Sequence, residues 1–577
     1  MNLPNIWGPG SLFAFSGLEG ENTYKNSLVG TLSADGIGVT FHTKTRRQLR
    51  FGLKNIRDIH YELVASDMIK AQLQEKITKV EKELVLAFYS QDTVVGITTP
   101  AAAPYIFADG DVQLEYQDDM TVISIDEEYT VLVKDQSNDC IKYAFSYSNQ
   151  SKEDAIEKAK SALLVEVDGV VADKLSFFYQ LPNFEVLDES IERAVYKCYS
   201  VMKTQVYTPE GIFKTRHTTP DRLPHKKVWL WDSVFHSIGN KFISKELAYD
   251  SIKAVLDMQK EDGFIPHMAT PYDHSDITQP PIIAYGIFEL YQFTDKKNIL
   301  EETYDQLKKY LHWNMEKRDS NKNNLFEWLI ENDDKCRCGE SGMDNSPRFD
   351  DVTLMECIDF SCFMAKEANT MAKIAGVLGL EDDQQYWTEL FNSIKEAVNK
   401  HLWDEEDHFY YDKIIADGQF KKVKAVSSFL PLFAGVCEPP HAEWLVKHLE
   451  DVNEFNTTFP IPSISLDDPT FGTDMWRGPV WINYNYMIIK GLKDYGYNKL
   501  ADEILKKTIE IMTQWYLHDG VIYEFYDSTN TVSPCQLYRK GPAIEPYDFR
   551  IRYQSIRDYG WSCTLFPVMV MEYALMR

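Results

Sequence analysis

The stretch IERAVYKCYSVM (residues 191–202) decides how the chain is read. Ile191, Ala194, Val195, Cys198 and Met202 recur at helical spacing, the period of an α-helix with one buried face. Upstream of about residue 185 the period is two. Ile141, Tyr143, Phe145 and Tyr147 fall on one side of a strand and Val112, Leu114 and Tyr116 on one side of another, with Gly110, Asp118 and Asn138 punctuating the runs. This pattern predicts an antiparallel β-sandwich. A helix-like stretch over 66–80 interrupts it, a short helix over 151–163 with Ser151 as N-cap leaves it, and a mixed stretch leads on to about 180.

Downstream, Ser244 caps a helix that turns Leu247, Ala248, Ile252 and Val255 inward. Similar stretches follow near 297–317, 353–379, 382–402, 440–450, 474–494, 498–516 and 558–576. Strands are nearly absent here, and no fixed-length repeat supports an α-solenoid. Helical hairpins closing into an α/α toroid would gather the long connecting loops at one end, where loops of that length usually serve function. The expected division is a β-sandwich domain over 1–180 and a mostly α domain over 181–577.

Composition narrows the function. The 577 residues exceed one ordinary core, and 44% hydrophobic with 26% charged residues fits neither a disordered nor a fibrous chain. No apolar run long enough for a membrane span is present, and the opening MNLPNIWGPG has no basic-then-apolar leader, so a cytoplasmic protein is expected. Nine cysteines, an odd count without regular spacing, suit buried thiols in a reducing compartment. A net charge of −28 repels phosphate backbones but not neutral sugars. Twelve Trp, 33 Tyr and 31 Phe exceed what a core needs, and surplus aromatics line clefts that stack apolar ligand faces.

Four clusters occupy the helical domain's loops: Trp229-Leu230-Trp231-Asp232-Ser233 with His236; Asp262 to His267 with Gln279-Pro280-Pro281; Glu340-Ser341-Gly342-Met343-Asp344-Asn345-Ser346-Pro347-Arg348; and Trp476 to Tyr484, with Arg477 and Trp481. A later segment reads Tyr523-Glu524-Phe525-Tyr526. Indole faces stack on the C–H face of a pyranose, and carboxylates, amides and Arg bind its hydroxyls. Glycoside hydrolysis adds two carboxyl groups flanking the scissile bond, one protonated and one ionised.

ESGMDNSPR (340–348), MWRGPVWINYNY (475–486) and WLWDSVFH (229–236) together resemble the glucosidase I family, glycoside hydrolase family 63, and are similar to mannosylglycerate hydrolases and, more distantly, trehalases. The resemblance runs in order over about 180–577; residues 1–180 match no motif. It implies an (α/α)6 barrel and an inverting mechanism, with Asp344 as general acid and Glu524 as general base. Glu545 is the rival for the base. Trp231, Asp232, Gln279 and Trp476 match sugar-holding positions, with Trp229, Gly342 and Trp481 beside them. A raised pKa on Asp344, from burial among Met343, Phe349 and nearby Trp, would keep it protonated. A short neutral α-glucoside is the expected substrate, with mannosylglycerate or glucosylglycerate as the alternative.

Plainer readings compete. Asp344 can cap a helix starting near Asp351, and Asp232 can pair with Arg222 or Lys227. The tryptophans can be core, and Arg348 and Arg477 can brace loop carboxylates or touch substrate. A pocket that binds sugar without cleaving it is a further reading, and paired histidines such as His236 and His267 would suit an epimerase. Cys336 and Cys338 lack a second zinc-type pair and read as ordinary thiols. Asp319-Ser320-Asn321-Lys322-Asn323 spaces its oxygens like a calcium loop but lacks Gly at 324 and Glu at 330, so a surface turn is preferred to a structural calcium site. No cofactor and no metal are required by the expected chemistry.

Overall fold

The structure, a computed structural model, describes residues 1–33, 38–43, 48–75, 81–108, 110, 112–117, 119–184, 187–542 and 554–575. Period-two patterning becomes β1 (Leu12–Ala14), β2 (Val29–Leu32), β3 (Val39–His42), β4 (Gln48–Leu53), β5 (Ile56–Ala65), β6 (Met68–Glu75), β7 (Glu81–Ser90), β8 (Thr93–Thr98), β9 (Pro104–Ala108), β10 (Gln113–Gln117), β11 (Met120–Ile125), β12 (Glu128–Gln136) and β13 (Ile141–Ser148). One antiparallel sheet runs β1-β2-β3-β4-β9 and the other β10-β11-β12-β13-β8-β7-β6-β5. Phe41 of β3 stacks on Phe145 of β13 at 4.8 Å and Phe51 of β4 on Tyr143 at 5.4 Å, so aromatic rings fill the space between the sheets. Tyr143, Phe145 and Tyr147 of the 141–147 face are buried there, and Ile141 is buried as well.

Residues 66–80 are not helical where they are described: β6 covers Met68–Glu75, and 76–80 lie outside the described residues. Met, Lys, Gln and Glu favour a helix locally, but pairing with β5 and β7 buries Ile69, Ala71 and Leu73 on one face, and tertiary burial outweighs propensity. The large sheet's second face, with Val85, Ala87, Val131 and Ala144, is buried as well. It lies under α1 (Lys152–Leu163) and α2 (Val167–Tyr179). Ser151 caps α1 by accepting the Asp154 N–H.

The remaining helices are α3 (Glu189–Thr204), α4 (Leu230–Asn240), α5 (Lys245–Leu256), α6 (Ile283–Thr294), α7 (Asn298–Lys317), α8 (Ile358–Leu378), α9 (Glu381–His401), α10 (Leu430–Ala434), α11 (Pro439–Glu450), α12 (Ile482–Asp494), α13 (Asn498–Asp519) and α14 (Gly560–Leu575). The expected stretches hold, and Ser244 caps α5 through the Leu247 N–H. Two starts differ. α8 begins at Ile358 and α12 at Ile482, behind Gly478-Pro479, which cannot continue a helix. α4 has no readable period because every residue in it is buried. α4 packs on α6, α6 on α8, α8 on α10, α10 on α12, α12 on α14, and α14 returns to α4. α5, α7, α9 and α13 pair with α4, α6, α8 and α12, and α3 pairs with α14.

Two buried charge clusters tie the sheets to the helices. Asp67, in the β5–β6 turn, meets Lys203 at 2.6 Å and Lys174 at 3.2 Å; burial alone would raise its pKa, but the two ammonium groups hold it below the ordinary value. Asp558 accepts from Leu12 N of β1 at 2.8 Å, from Lys197 Nζ of α3 at 2.9 Å and from Ile522 N at 3.1 Å. Both Asp558 and Lys197 are about 1% exposed, so removing one partner strands the other's charge. Asp558→Ala is expected to cost about 3–5 kcal/mol. Urea unfolding followed by fluorescence checks this; an unchanged midpoint would show that the ion pair carries little.

Candidate active site

Backbone and side-chain hydrogen bonds stitch the loop clusters together. Trp231 N donates to Gln279 Oε1 at 3.3 Å, and Leu230 N to His267 O at 3.0 Å, joining the first two clusters. Asn345 Oδ1 accepts from Trp476 N at 3.1 Å, joining the Asp344 loop to the Trp476 loop. Val480 and Tyr526 exchange backbone bonds at 2.8 and 3.1 Å, which brings in the Glu524 segment, and Glu524 O accepts from Trp561 Nε1 at 3.3 Å. Gly342 turns at φ 70°, and a Cβ there would lie 2.4 Å from Trp231 Cζ2, so only glycine fits.

These contacts enclose a cavity of about 510 Å³ whose wall includes Asp344, Glu524, Asp232, Gln279 and Gly342. Trp229, Trp231, Trp476 and Trp481 also line it. Trp476 and Trp481 stack face to face at 3.8 Å, so these rings are both core and wall. The indole N–H groups of Trp229 and Trp476 are buried with no partner among the described residues, donors suited to a ligand oxygen. Arg477 is not in the wall; both Asp350 oxygens accept from its Nη2 at 2.8 Å, so it braces the loop. Arg348 also braces: it is 1% exposed and paired with Asp359 at 2.7 Å and Asp412 at 2.8 Å.

The two candidate catalytic carboxylates are held by consecutive cations. Arg539 donates from Nε to Glu524 Oε2 at 2.7 Å and from Nη2 to Oε1 at 3.1 Å. Lys540 Nζ meets Asp344 Oδ2 at 2.5 Å. Burial works against both cations, yet the charge of Glu524 raises Arg539 and that of Asp344 raises Lys540. Asp344 is 22% exposed, so it sits beside an ammonium rather than inside the apolar enclosure expected of Met343, Phe349 and tryptophan. It caps no helix either: its backbone oxygen accepts from Arg337 N at 2.8 Å, and the next α-helix begins at Ile358. Glu545 lies outside the described residues.

Asp232 and Glu524 are both buried carboxyl groups of the cavity, but no cation among the described residues is paired with Asp232. Desolvation, with the charge of Glu524 added, pushes its pKa well above the ordinary value, and its nearest partner is the Tyr559 hydroxyl at 3.3 Å. Arg222 does not pair with it; that guanidinium donates to Phe15 O at 3.0 Å and Asn22 Oδ1 at 3.2 Å. His236 and His267 are not in the wall, and burial drives them down to about 3 and about 4. Burial lifts the Cys336 thiol to about 12, with Asp344 contributing. In the 319–323 loop, Asp319 accepts from Asn323 N and Asn324 N at 3.1 Å, so its oxygens close the turn. Among the described residues, the group that brings three potential ligand atoms within 4.8 Å is Cys357, Asp359 and Asp412, and Arg348 already occupies their charge.

Residues 225–562 match the model of the mannosylglycerate hydrolase MGH1-like glycoside hydrolase domain, which spans every cluster of the cavity. The chain belongs to that family. This glycoside hydrolase is 25% identical over 397 residues to the mannosylglycerate hydrolase MGH1 of Selaginella moellendorffii, covering 54% of the chain and 77% of that relative. The GH63 mannosylglycerate hydrolase of Thermus thermophilus in complex with glucose superposes at a TM-score of 0.53 and 23% identity, over 65% of this chain and 99% of that one. A bacterial glucoamylase complexed with acarbose reaches 0.64 at 10% identity over 100% of this chain and 96% of that one, so the fold likeness includes the β-sheets.

Sequence reading missed Arg539, Lys540, His225, Tyr559 and Trp561, all in the wall. The only signal was adjacency: Arg539-Lys540 is a basic pair in a chain of net charge −28. Asp232 yields a direct test. A carboxyl whose folded pKa is raised costs stability as pH climbs above its unfolded value of 3.8. Asp232→Asn is therefore expected to unfold at a higher temperature than wild type at pH 7, the gain vanishing as pH falls to about 4, while sugar affinity drops. Differential scanning fluorimetry across that range checks the sign; no gain at pH 7 refutes the burial argument.

Proposed function

We propose that the protein is an inverting α-glycoside hydrolase whose helical domain, 181–577, is an (α/α)6 barrel carried behind the β-sandwich domain of 1–180. The closed order of helix contacts supports the barrel. The observation that carries the catalytic reading is that Asp344 and Glu524 share one cavity wall with unpartnered indole donors and a buried Asp232. Asp344 protonates the leaving glycosidic oxygen while Glu524 takes a proton from the water that attacks the anomeric carbon. Single displacement inverts that carbon, and the mechanism requires roughly 6.5–9.5 Å between the carboxyl groups. Asp232, Gln279, Trp229, Trp231, Trp476 and Trp481 hold the sugar, and no cofactor enters the step.

A cavity of about 510 Å³ suits a short glycoside rather than a polymer. A short α-glucoside is the first reading, on the glucosidase-like motifs. A hexosylglycerate is the second, favoured by Lys227 and Lys540 in the wall and by the mannosylglycerate hydrolases among the relatives. Nine cysteines, none in a disulfide, support a reducing, cytoplasmic setting.

Proton NMR of a panel of neutral α-disaccharides, mannosylglycerate and glucosylglycerate tests the reading. The β-anomer is expected first, with Asp344→Asn and Glu524→Gln slower by about 10²–10⁴-fold. Retained configuration, an isomer as product, or binding without cleavage would each overturn it.

A further inference from the structure

A second cavity, of about 600 Å³, lies where the β-sandwich, α2 and the helical domain meet; among the described residues it shares no lining with the cavity of Asp344. Phe15 and Phe88 line it from the sheets, Phe177 and Leu181 from α2 and its end, and Ile243 from the turn before α5. Two ammonium groups reach the same wall, Lys174 of α2 and Lys203 of α3, only 3% and 2% exposed. Lys174 Nζ lies 4.9 Å from the Phe15 ring and Lys203 Nζ 4.9 Å from the Phe177 ring, so charge and apolar surface adjoin. Tyr89, Asp173 and Gln180 are exposed members of the lining, which gives a ligand access from solvent. The charges define what the site accepts. Asp67 faces both ammonium groups through one oxygen, Oδ2, and its Oδ1 is buried with no partner among the described residues. Two cations against one buried anion leave one positive charge. Glu19 neutralises it by bridging, with Oε2 on Lys174 and Oε1 on Lys203. Its side chain is 26% exposed where the other three are 3% or less. The turn that carries it is held by Ser16, which accepts from Glu19 N and Leu18 N at 3.1 Å, so the Glu19 side chain can rotate into water while the backbone stays. The lysines and Asp67 have no such exit.

We propose that this cavity is a second, non-catalytic binding site for a small monocarboxylate with an apolar body. The ligand's carboxylate takes the bridging place of Glu19 on Lys174 and Lys203, and its apolar part lies against Phe15, Phe88, Phe177 and Leu181. Glu19 is the internal stand-in for the ligand and turns out to solvent when the ligand binds. The exchange replaces one carboxylate by another, so no buried ammonium is left uncompensated. The net gain comes from apolar surface removed from water on both sides. A phosphate monoester carries about −1.5 to −2 charges and overshoots the single charge that the lysines leave unbalanced. A neutral ligand of the same shape cannot replace Glu19, because it brings no charge to the two ammonium groups.

Isothermal titration calorimetry of the full chain with 4-phenylbutyrate, 4-phenylbutyramide, acetate and phenyl phosphate tests the site. Glu19→Gln removes the internal competitor and is expected to bind 4-phenylbutyrate ~10- to 100-fold more tightly than wild type, the worth of a charged hydrogen bond. Tighter binding is a result that loss of structure does not produce. The amide, which lacks the charge, acetate, which lacks the apolar body, and phenyl phosphate, which carries excess charge, are each expected to bind ~10-fold more weakly than 4-phenylbutyrate. Adding Lys174→Gln to Glu19→Gln makes the cluster neutral again and abolishes the gain. Asp344→Asn, in the other cavity, leaves binding as in wild type. Should Glu19→Gln not fold, wild type must still prefer the carboxylate to its amide, and Phe177→Ala must weaken that binding ~10-fold. The proposal is overturned if 4-phenylbutyrate binds neither wild type nor Glu19→Gln, or if its amide or phenyl phosphate binds as tightly. Full binding in the double variant, or loss of binding in Asp344→Asn, overturns it as well.

Discussion

Asp558 is the constraint on which the arrangement of this molecule depends. One buried carboxylate receives the N–H of Leu12 in the first strand, the ammonium of Lys197 in α3 and the N–H of Ile522 two residues before Glu524. Its own backbone oxygen accepts from Gln205 Nε2 at 2.9 Å, just past the end of α3. Directly after it come Tyr559, which bonds Asp232, and Trp561, which bonds the backbone of Glu524. A charge buried this deeply persists only when fully paired, so the groups that satisfy it are fixed relative to one another. The β-sandwich is thereby tied to the wall of the cavity.

The cavity follows the same logic at smaller scale. Two of the carboxylates gathered here in a chain of net charge −28 are each met by a local cation, and two adjacent residues supply them. Arg539 grips Glu524 with a planar two-point fork, which fixes its orientation; Lys540 meets Asp344 with a single flexible ammonium. Asp232, paired with no cation among the described residues, is instead the group whose pKa burial raises. Three carboxyl groups in one wall therefore have three different electrostatic environments, as acid–base chemistry requires.

Much of the fold was legible because its signals are local. Periodicity showed the β character of the first part of the chain, placed two of its strands and most helices, and Ser151 and Ser244 marked helix starts that the structure shares. It failed at β6, where helix-forming residues are held in a strand by pairing on both sides, and at α4, where burial on every side erases the polar face that a period needs. In the site, Trp229, Trp231, Asp232, Gln279, Gly342, Asp344, Trp476, Trp481 and Glu524 were readable as dense clusters and do meet in one cavity. Arg477 sits in the same motif yet faces Asp350, because proximity along the chain does not decide which side of a loop a guanidinium takes.

The sequence by itself determined which residue types could do the chemistry and which stretches would be helix or sheet, since both depend on neighbours a few positions away. Only the tertiary structure decided their electrostatic state. Asp344 looked like the buried acid, but Lys540, distant in sequence, sits against it, and Asp232 is the carboxyl that burial acts on instead. Charge interactions act through space and depend on burial that many distant segments create together, so no local pattern records them.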